Sequence, residues 1–156
     1  MKTKHLYQSP IGLLEMTVED QTLTCLDFVI GGPNFTPPPL DSLVSTVINE
    51  LNEYFLGQRQ NFTFSFKATG SSFQEVVWQD LVTIAYGETI TYNQIATRIG
   101  RPKATRAVGR AVNQNPLSIV IPCHRVIGTS GHLTGYRGGL DKKAYLLDLE
   151  KYYKAQ

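Results

Sequence analysis

A cysteine followed directly by a histidine and an arginine, within Ile119-Val120-Ile121-Pro122-Cys123-His124-Arg125-Val126, is the part of this sequence best suited to covalent chemistry. A thiol attacks as its thiolate, and a neighbouring imidazolium or guanidinium lowers its pKa from the usual value of about 8.5. Pro122 fixes the backbone ahead of it. The competing reading is that Cys123 is a small buried hydrophobe, as most unpaired cysteines are. Adjacency does not decide between them. In an extended segment successive side chains point to opposite faces, so His124 reaches Cys123 only across a tight turn or through water.

A cationic set lies upstream: Arg98, Arg101, Lys103, Arg106 and Arg110, with no acidic residue between them. Thr91 predicts the cap of a short helix from Tyr92 through Ile99, closed by Gly100. Pro102 predicts the first turn of another helix running to about Val112. Two short helices joined by a turn containing Gly100-Arg101 have the form of a helix-turn-helix whose second helix faces nucleic acid. A solvated basic face is the plainer alternative. Ahead of this pair, Ser72 with Glu75 reads as a capping box, Phe73, Val76, Val77, Leu81 and Ile84 as an apolar stripe, and Gly87 as a stop.

Asn115-Pro116 breaks the second helix and leads into the cysteine segment. Beyond it, Gly128, Gly131, Gly135, Gly138 and Gly139 punctuate a loop containing Tyr136, and glycine lets backbone approach a ligand closely. Leu140 to about Tyr153 predicts a closing helix that carries Glu150, with Leu140, Ala144, Leu147 and Tyr145 or Leu149 facing inward.

The first seventy residues read as a small sheet with one helix. His5–Ser9, Gly12–Val18 and Thr22–Ile30 are strand-like, with Glu19-Asp20-Gln21 as a hairpin turn. Gly31-Gly32-Pro33 through Pro37-Pro38-Pro39 reads as a loop. From Asp41 to Phe55 the apolar residues Leu43, Val44, Val47, Ile48, Leu51 and Phe55 keep helical spacing, and Gly57 stops it. Asn61 to Phe66 alternates strictly, placing Phe62, Phe64 and Phe66 on one face of a strand. Thr69-Gly70-Ser71-Ser72 reads as a linker. Cys25 sits in an apolar strand, and with His5 it makes too sparse a set for a metal.

A chain of 156 residues, 42% hydrophobic and 18% charged, is an ordinary soluble globular protein of one domain or two small ones. It has no apolar run able to span a bilayer, and the Lys2/Lys4 start lacks the apolar stretch of a signal peptide. Two cysteines make a poor disulfide framework and suit a reducing compartment, hence a cytoplasmic protein, nucleoid-associated if bacterial. Residues 1–74 carry 4 Lys/Arg against 7 Asp/Glu, whereas residues 75–156 carry 11 against 6. The second half is therefore the one suited to a polyanion.

The helix-turn-helix with its basic second helix, the Asn-Pro turn, Pro-Cys-His-Arg-Val, the Gly-Tyr loop and the closing helix with its glutamate together resemble the 6-O-alkylguanine-DNA alkyltransferases. The resemblance is strong over residues 72–151. Earlier it rests on the order of elements and on Ser9-Pro10-Ile11-Gly12. It implies an α/β protein with a small amino-terminal α/β domain, ribonuclease-H-like, over residues 1–70, and a mostly helical winged helix-turn-helix domain over 71–156. It implies stoichiometric, irreversible transfer of an alkyl group from the 6-oxygen of guanine, or the 4-oxygen of thymine, to Cys123. His124 and Glu150 would join Cys123 in a network through water, Asn115 would brace the turn, and Tyr92 would protonate the departing guanine. Val126, Tyr136 and Arg137 would form the base pocket. Arg106 would fill the stack after base flipping, with Arg110, Lys103, Arg101 and Arg125 as further DNA contacts. The partner would be double-stranded DNA with an alkylated guanine, bound by a monomer without cofactor or metal, since the ligand set for the zinc of some members is incomplete. Arg137, Thr134 and Ser118 depart from the human-like pattern, which implies a poorer fit for bulky guanines, and Arg110 stands for a glycine on the recognition helix, which implies an added phosphate contact or a narrower approach to the groove.

Chemistry on a paired base requires extruding it, at a cost of a few kcal/mol that a stack-filling side chain, phosphate contacts and pocket stacking must offset. Two rival readings stand beside this one. A winged helix-turn-helix module would recognise DNA without accepting a group, and Cys123 argues against it. A thiol hydrolase would need an oxyanion hole and turnover.

Overall fold

The computed structural model describes residues 2–29 and 41–156 and separates into two compact units, residues 1–67 and 68–156. The first is a three-stranded antiparallel sheet, in the order β1 (Lys2–Ser9), β2 (Gly12–Glu19), β3 (Thr22–Phe28), with one helix, α1 (Ser42–Phe55). The turn joining β2 to β3 is Asp20-Gln21, both at positive φ (52° and 60°), the two-residue hairpin geometry that matches strand twist. Buried His5, Tyr7 and Ser9 alternate along β1 and Leu14, Met16 and Val18 along β2, and the pairing of β2 with β3 shifts register at Thr17/Val18, passing over Thr24. Asp41 caps α1, which buries Val44, Val47, Leu51, Tyr54 and Phe55. The tie from β1 to that helix is Tyr7 Oη donating to Asn52 at 2.7 Å.

The alternating segment 61–66 does not form a regular strand. Phe64 is buried as the pattern requires, yet the segment joins β3 through a single bridge, Leu23 to Phe66. Buried Glu50 takes up the Thr63 N–H and hydroxyl, removing them from any ladder. The expected end of the third strand at Ile30 and the proline loop after it lie outside the described residues.

The second unit contains α2 (Ser72–Val82), β4 (Ile90–Thr91), α3 (Tyr92–Arg98), α4 (Thr105–Asn113), a 3-10 turn (Cys123–Arg125), β5 (Val126–Ile127) and α5 (Leu140–Lys154). The cap of α2 is Ser71 with Gln74, not Ser72 with Glu75. Gln74 closes the box because its amide can both accept from the cap N–H and leave Glu75 free to accept from Gly70. The helix ends at Thr83, well before Gly87, and Val76 is exposed. Thr91 and Gln94 cap α3. Pro102 and Lys103 form a turn, so α4 begins only at Thr105. Its Val108, Ala111 and Val112 are buried, and Trp78 Nε1 donates to the Ala111 carbonyl at 2.8 Å. Parallel pairing of Ile90 with Val126 and Thr91 with Ile127 sets the segment after the cysteine beside the start of α3.

Candidate active site

The cysteine segment is a strained turn held from one side. Ile119, a β-branched residue, sits at φ 73°, a conformation that costs on the order of 1–3 kcal/mol. Buried Asn115 supports it: its Nδ2 donates to the Ile121 carbonyl at 2.9 Å and the Leu117 carbonyl at 3.3 Å, and its Oδ1 accepts from the Leu117 N–H at 3.0 Å. The chain then enters the 3-10 turn that makes Cys123, His124 and Arg125 consecutive and buried.

Behind the turn lies Glu150 of α5, 1% exposed. His124 Nε2 meets its Oε2 at 2.6 Å, and Arg125 donates to both carboxylate oxygens, at 2.8 and 3.0 Å. A third Arg125 donor reaches the Ile84 carbonyl at 2.7 Å, and its guanidinium lies 5.6 Å from the Tyr86 ring centre. Burial raises the Glu150 carboxyl, but His124 and Arg125 outweigh it and hold the group well below the usual carboxylate range. Burial lowers His124, and Arg125 already satisfies the charge of Glu150, so the imidazole is neutral. It therefore donates Nε2–H to the carboxylate, leaving the buried Nδ1 without a protein partner and free to act as a base.

Cys123 is not a resting thiolate. Burial pushes the thiol up to about 11, against opposing contributions from the Asn115 side chain and the charges of Lys143 and Arg137. Sequence adjacency misleads here because neither neighbour supplies net positive charge: His124 is neutral and Arg125 is matched by Glu150. Arg125 is for the same reason not among the exposed cations, which corrects its expected place as a DNA contact.

A cavity of about 470 Å³ opens where Tyr92 of α3, Arg106, Gly109 and Arg110 of α4, and Gly128, Thr134 and Gly135 of the glycine-rich loop converge. Thr134 Oγ1 donates to Tyr92 Oη at 3.1 Å. Tyr92 is raised chiefly by burial, and a thiolate at Cys123 would raise it further, so the phenol and the thiol are electrostatic neighbours. Arg106 and Arg110, four apart, are exposed on one face of α4, opposite its buried residues. Lys103 is exposed in the turn before it. Arg101, also exposed, lies 5.7 Å from the Phe73 ring centre, and Arg98 is bound to Asp80 at 3.1 Å. Val126 and Tyr136 are buried and Arg137 is exposed, and none of the three lines the cavity. A wider cleft of about 580 Å³, beside Glu88, Asn93 and Arg98, contains no cysteine or histidine. Among the described residues, no group of three or more His, Cys, Asp or Glu side chains converges to hold a metal ion.

The comparisons with known proteins agree over both units. Residues 2–68 match the ribonuclease-like domain of 6-O-methylguanine DNA methyltransferase, and residues 72–152 match its DNA binding domain. The chain belongs to the 6-O-methylguanine DNA methyltransferase family. A methylated-DNA–protein-cysteine methyltransferase of Methanosarcina acetivorans is 43% identical over 151 residues, covering 93% of this chain and 96% of that one. Its Mycobacterium tuberculosis counterpart is 45% identical over 148 residues, covering 92% and 88%. The crystal structure of the M. tuberculosis O6-methylguanine methyltransferase superposes with a TM-score of 0.89 at 42% identity, covering 98% of this chain and 94% of that one. The M. tuberculosis protein in complex with DNA gives 0.88 at 43%, covering 96% and 93%. The expected fold class, with its amino-terminal α/β unit and helical second unit, is thus shown.

One buried charged residue beside the cavity has no counterpart among the residues the sequence singles out. Lys143 of α5 is fully buried and was not singled out by the sequence, because a lysine among Asp141, Lys142 and Lys151 reads as solvated surface. Its Nζ donates to the Thr134 carbonyl at 2.6 Å and lies 6.0 Å from the Tyr92 ring centre, and burial lowers it to about 8. The inward face of α5 is accordingly Lys143, Leu146 and Glu150, while Leu140 and Tyr145 are exposed. Two of the three inward positions are charged, which apolar periodicity passes over.

Proposed function

We propose that this protein repairs duplex DNA by moving the alkyl group on the 6-oxygen of a flipped-out guanine to Cys123, where it stays. The observation that carries the reading is the buried Cys123, flanked in its 3-10 turn by the His124–Glu150–Arg125 network and electrostatically coupled to Tyr92, which borders a cavity with the exposed Arg106 and Arg110 of α4. His124 Nδ1 takes the thiol proton through water, and Glu150 stabilises the imidazolium that forms. Sulfur attacks the alkyl carbon, the carbon–oxygen bond breaks with its electron pair on guanine, and Tyr92 gives its proton to the departing base. Solvent returns a proton from the imidazolium to the phenolate, so the net change is one proton lost by the thiol and one gained by guanine, and no cofactor is consumed. A neutral resting thiol fits this order, since deprotonation is then coupled to transfer. Arg106 occupies the place of the extruded base, and Arg110, Lys103 and Arg101 contact phosphates. Asn115 keeps the strained turn in place, and the backbone around Val126 and from Tyr136 to Arg137 reads the base edge. A residue-71-to-156 acceptor domain carries all of these groups, with residues 1–70 as its scaffold. The protein acts as a monomer in the cytoplasm, and the 4-oxygen of an alkylated thymine is a second point from which the group is taken.

The test is intact mass after incubation with a duplex containing 6-O-methylguanine, beside a Cys123→Ala variant. A gain of about 14 Da, saturating at one per chain and absent in the variant, is the expected result. Tight binding with no gain would make the protein a damage-recognition module, and lesion loss without gain a turning-over enzyme.

A further inference from the structure

Thr134 and Tyr92 lie 42 residues apart, yet the threonine hydroxyl donates to the phenolic oxygen at 3.1 Å, and both border the same cavity. The backbone of Thr134 is fixed separately, its carbonyl accepting from the fully buried Lys143 at 2.6 Å. The hydroxyl is thus held in place by a clamp that does not involve it.

A phenol has one proton to give and an oxygen that accepts. With the phenolic oxygen accepting from Thr134, the proton of Tyr92 is turned away from Thr134. A donor on the phenolic oxygen also favours the phenolate left after proton transfer, opposing the effect of burial on Tyr92.

We propose that Thr134 is a positioning residue for alkyl transfer, its hydroxyl aiming the Tyr92 proton at the departing guanine and stabilising the charge left on the phenolic oxygen. The proposal rests on the reading of Tyr92 as proton donor given above. As the carbon–oxygen bond breaks, guanine keeps the electron pair and takes the Tyr92 proton. Thr134 gives up no atom and keeps its hydrogen bond to the phenolate. Stack-filling, phosphate contacts and thiol deprotonation are untouched by it.

Three variants test this. Thr134→Val keeps the β-branch and the carbonyl that binds Lys143 but removes the hydroxyl, Thr134→Ser restores it, and Tyr92→Phe removes the group acted on. Single-turnover transfer from a saturating 6-O-methylguanine duplex is followed by intact mass. Reaction of Cys123 with iodoacetamide, which needs no proton donor for its leaving group, is followed in parallel. Thr134→Val should slow transfer about three- to ten-fold, the worth of one hydrogen bond strengthened in the transition state. Thr134→Ser should transfer at close to the original rate, the Y92F/T134V pair should be no slower than Y92F, and the iodoacetamide rates should be equal throughout. An undiminished rate in Thr134→Val, an equal loss on the Y92F background, no recovery with serine, or a parallel loss with iodoacetamide would each overturn the proposal. No mass gain in the unmodified protein would instead overturn the alkyl-acceptor reading, and this proposal with it.

Discussion

Replacing Arg125 by methionine separates a buried ion pair from a DNA contact more sharply than any other single change. The arginine makes two hydrogen bonds to Glu150, at 2.8 and 3.0 Å, and one to the Ile84 carbonyl. Hydrogen bonds to charged groups contribute about 1.5–3 kcal/mol each, so the two to the carboxylate amount to about 3–6 kcal/mol. Stranding one partner of a buried pair costs about 3–5 kcal/mol, in the same range. Methionine fills most of the arginine stem, so little of the loss is cavity. Glu150 then has lost both guanidinium hydrogen bonds, while those to His124 and to the Gly87 N–H, at 3.1 Å, remain.

Burial still lowers the imidazole, but the opposing charge of Arg125 is gone while Glu150 still raises it, so His124 takes up a proton at higher pH than in the parent. The easier protonation offsets part of the loss in acid, and the offset disappears as pH rises through the variant's imidazole pKa. Urea unfolding should show Arg125→Met destabilised by about 3–5 kcal/mol at alkaline pH and by less in mild acid. A proton on Nδ1 also blocks the base, so transfer should be slow near pH 7 and recover as pH rises. DNA affinity should keep its dependence on salt. A variant within about 0.5 kcal/mol of the parent whose log affinity loses about 0.9 of its slope against log salt would put Arg125 on a phosphate and refute the reasoning.

Arg106→Ala and Arg110→Ala should behave in the opposite way, leaving stability within about 0.5 kcal/mol and reducing the salt slope of duplex binding by about 0.9 for each phosphate left unneutralised. Methylation of Cys123, 4% exposed, adds carbon to a packed site at about 1–3 kcal/mol, so thermal unfolding after reaction should begin several degrees lower; an unchanged or higher midpoint would deny the tight packing. Lys143, lowered from 10.5 to about 8, makes the unfolded chain bind more protons than the folded one between those pH values, so its contribution to stability rises with pH there. The stability difference between the protein and Lys143→Met should shift in favour of the parent from about pH 8 to 10.5, and a flat difference would place the lysine in solvent.

Strong periodicity made most of the fold legible. The hairpin at Asp20-Gln21, the cap Thr91 and the buried face of α1 are all carried by local chemistry that the sequence displays. Errors fell where tertiary hydrogen bonds choose among local options. Ser71 and Ser72 are both good caps, and Gln74 decides between them. Pro102 suits a first helical turn, but the turn containing it runs on to Ala104 before α4 starts. The cysteine segment was legible as a place for chemistry, whereas its electrostatics were not. Arg125 is one residue from His124 and Glu150 is 26 away, and only folding reveals that the distant residue cancels the near one. Lys143 and the positive φ of Ile119 left no signal, since a lone lysine and a β-branched residue have unremarkable meanings almost everywhere else.

The dependence of His124 on a carboxylate made 26 residues later has a consequence for biosynthesis. A ribosome delivers Cys123 before the helix that bears Glu150, so for a time the nascent segment has its nucleophile but neither its base network nor its cover. In that interval the thiol has the ordinary acidity of a solvated cysteine and reacts with whatever electrophile or oxidant meets it. Folding of the unit, with α5 against the 3-10 turn, closes the interval, and burial moves the thiol up to about 11. Maturation therefore quiets this cysteine toward indiscriminate partners in the same event that equips it for one substrate.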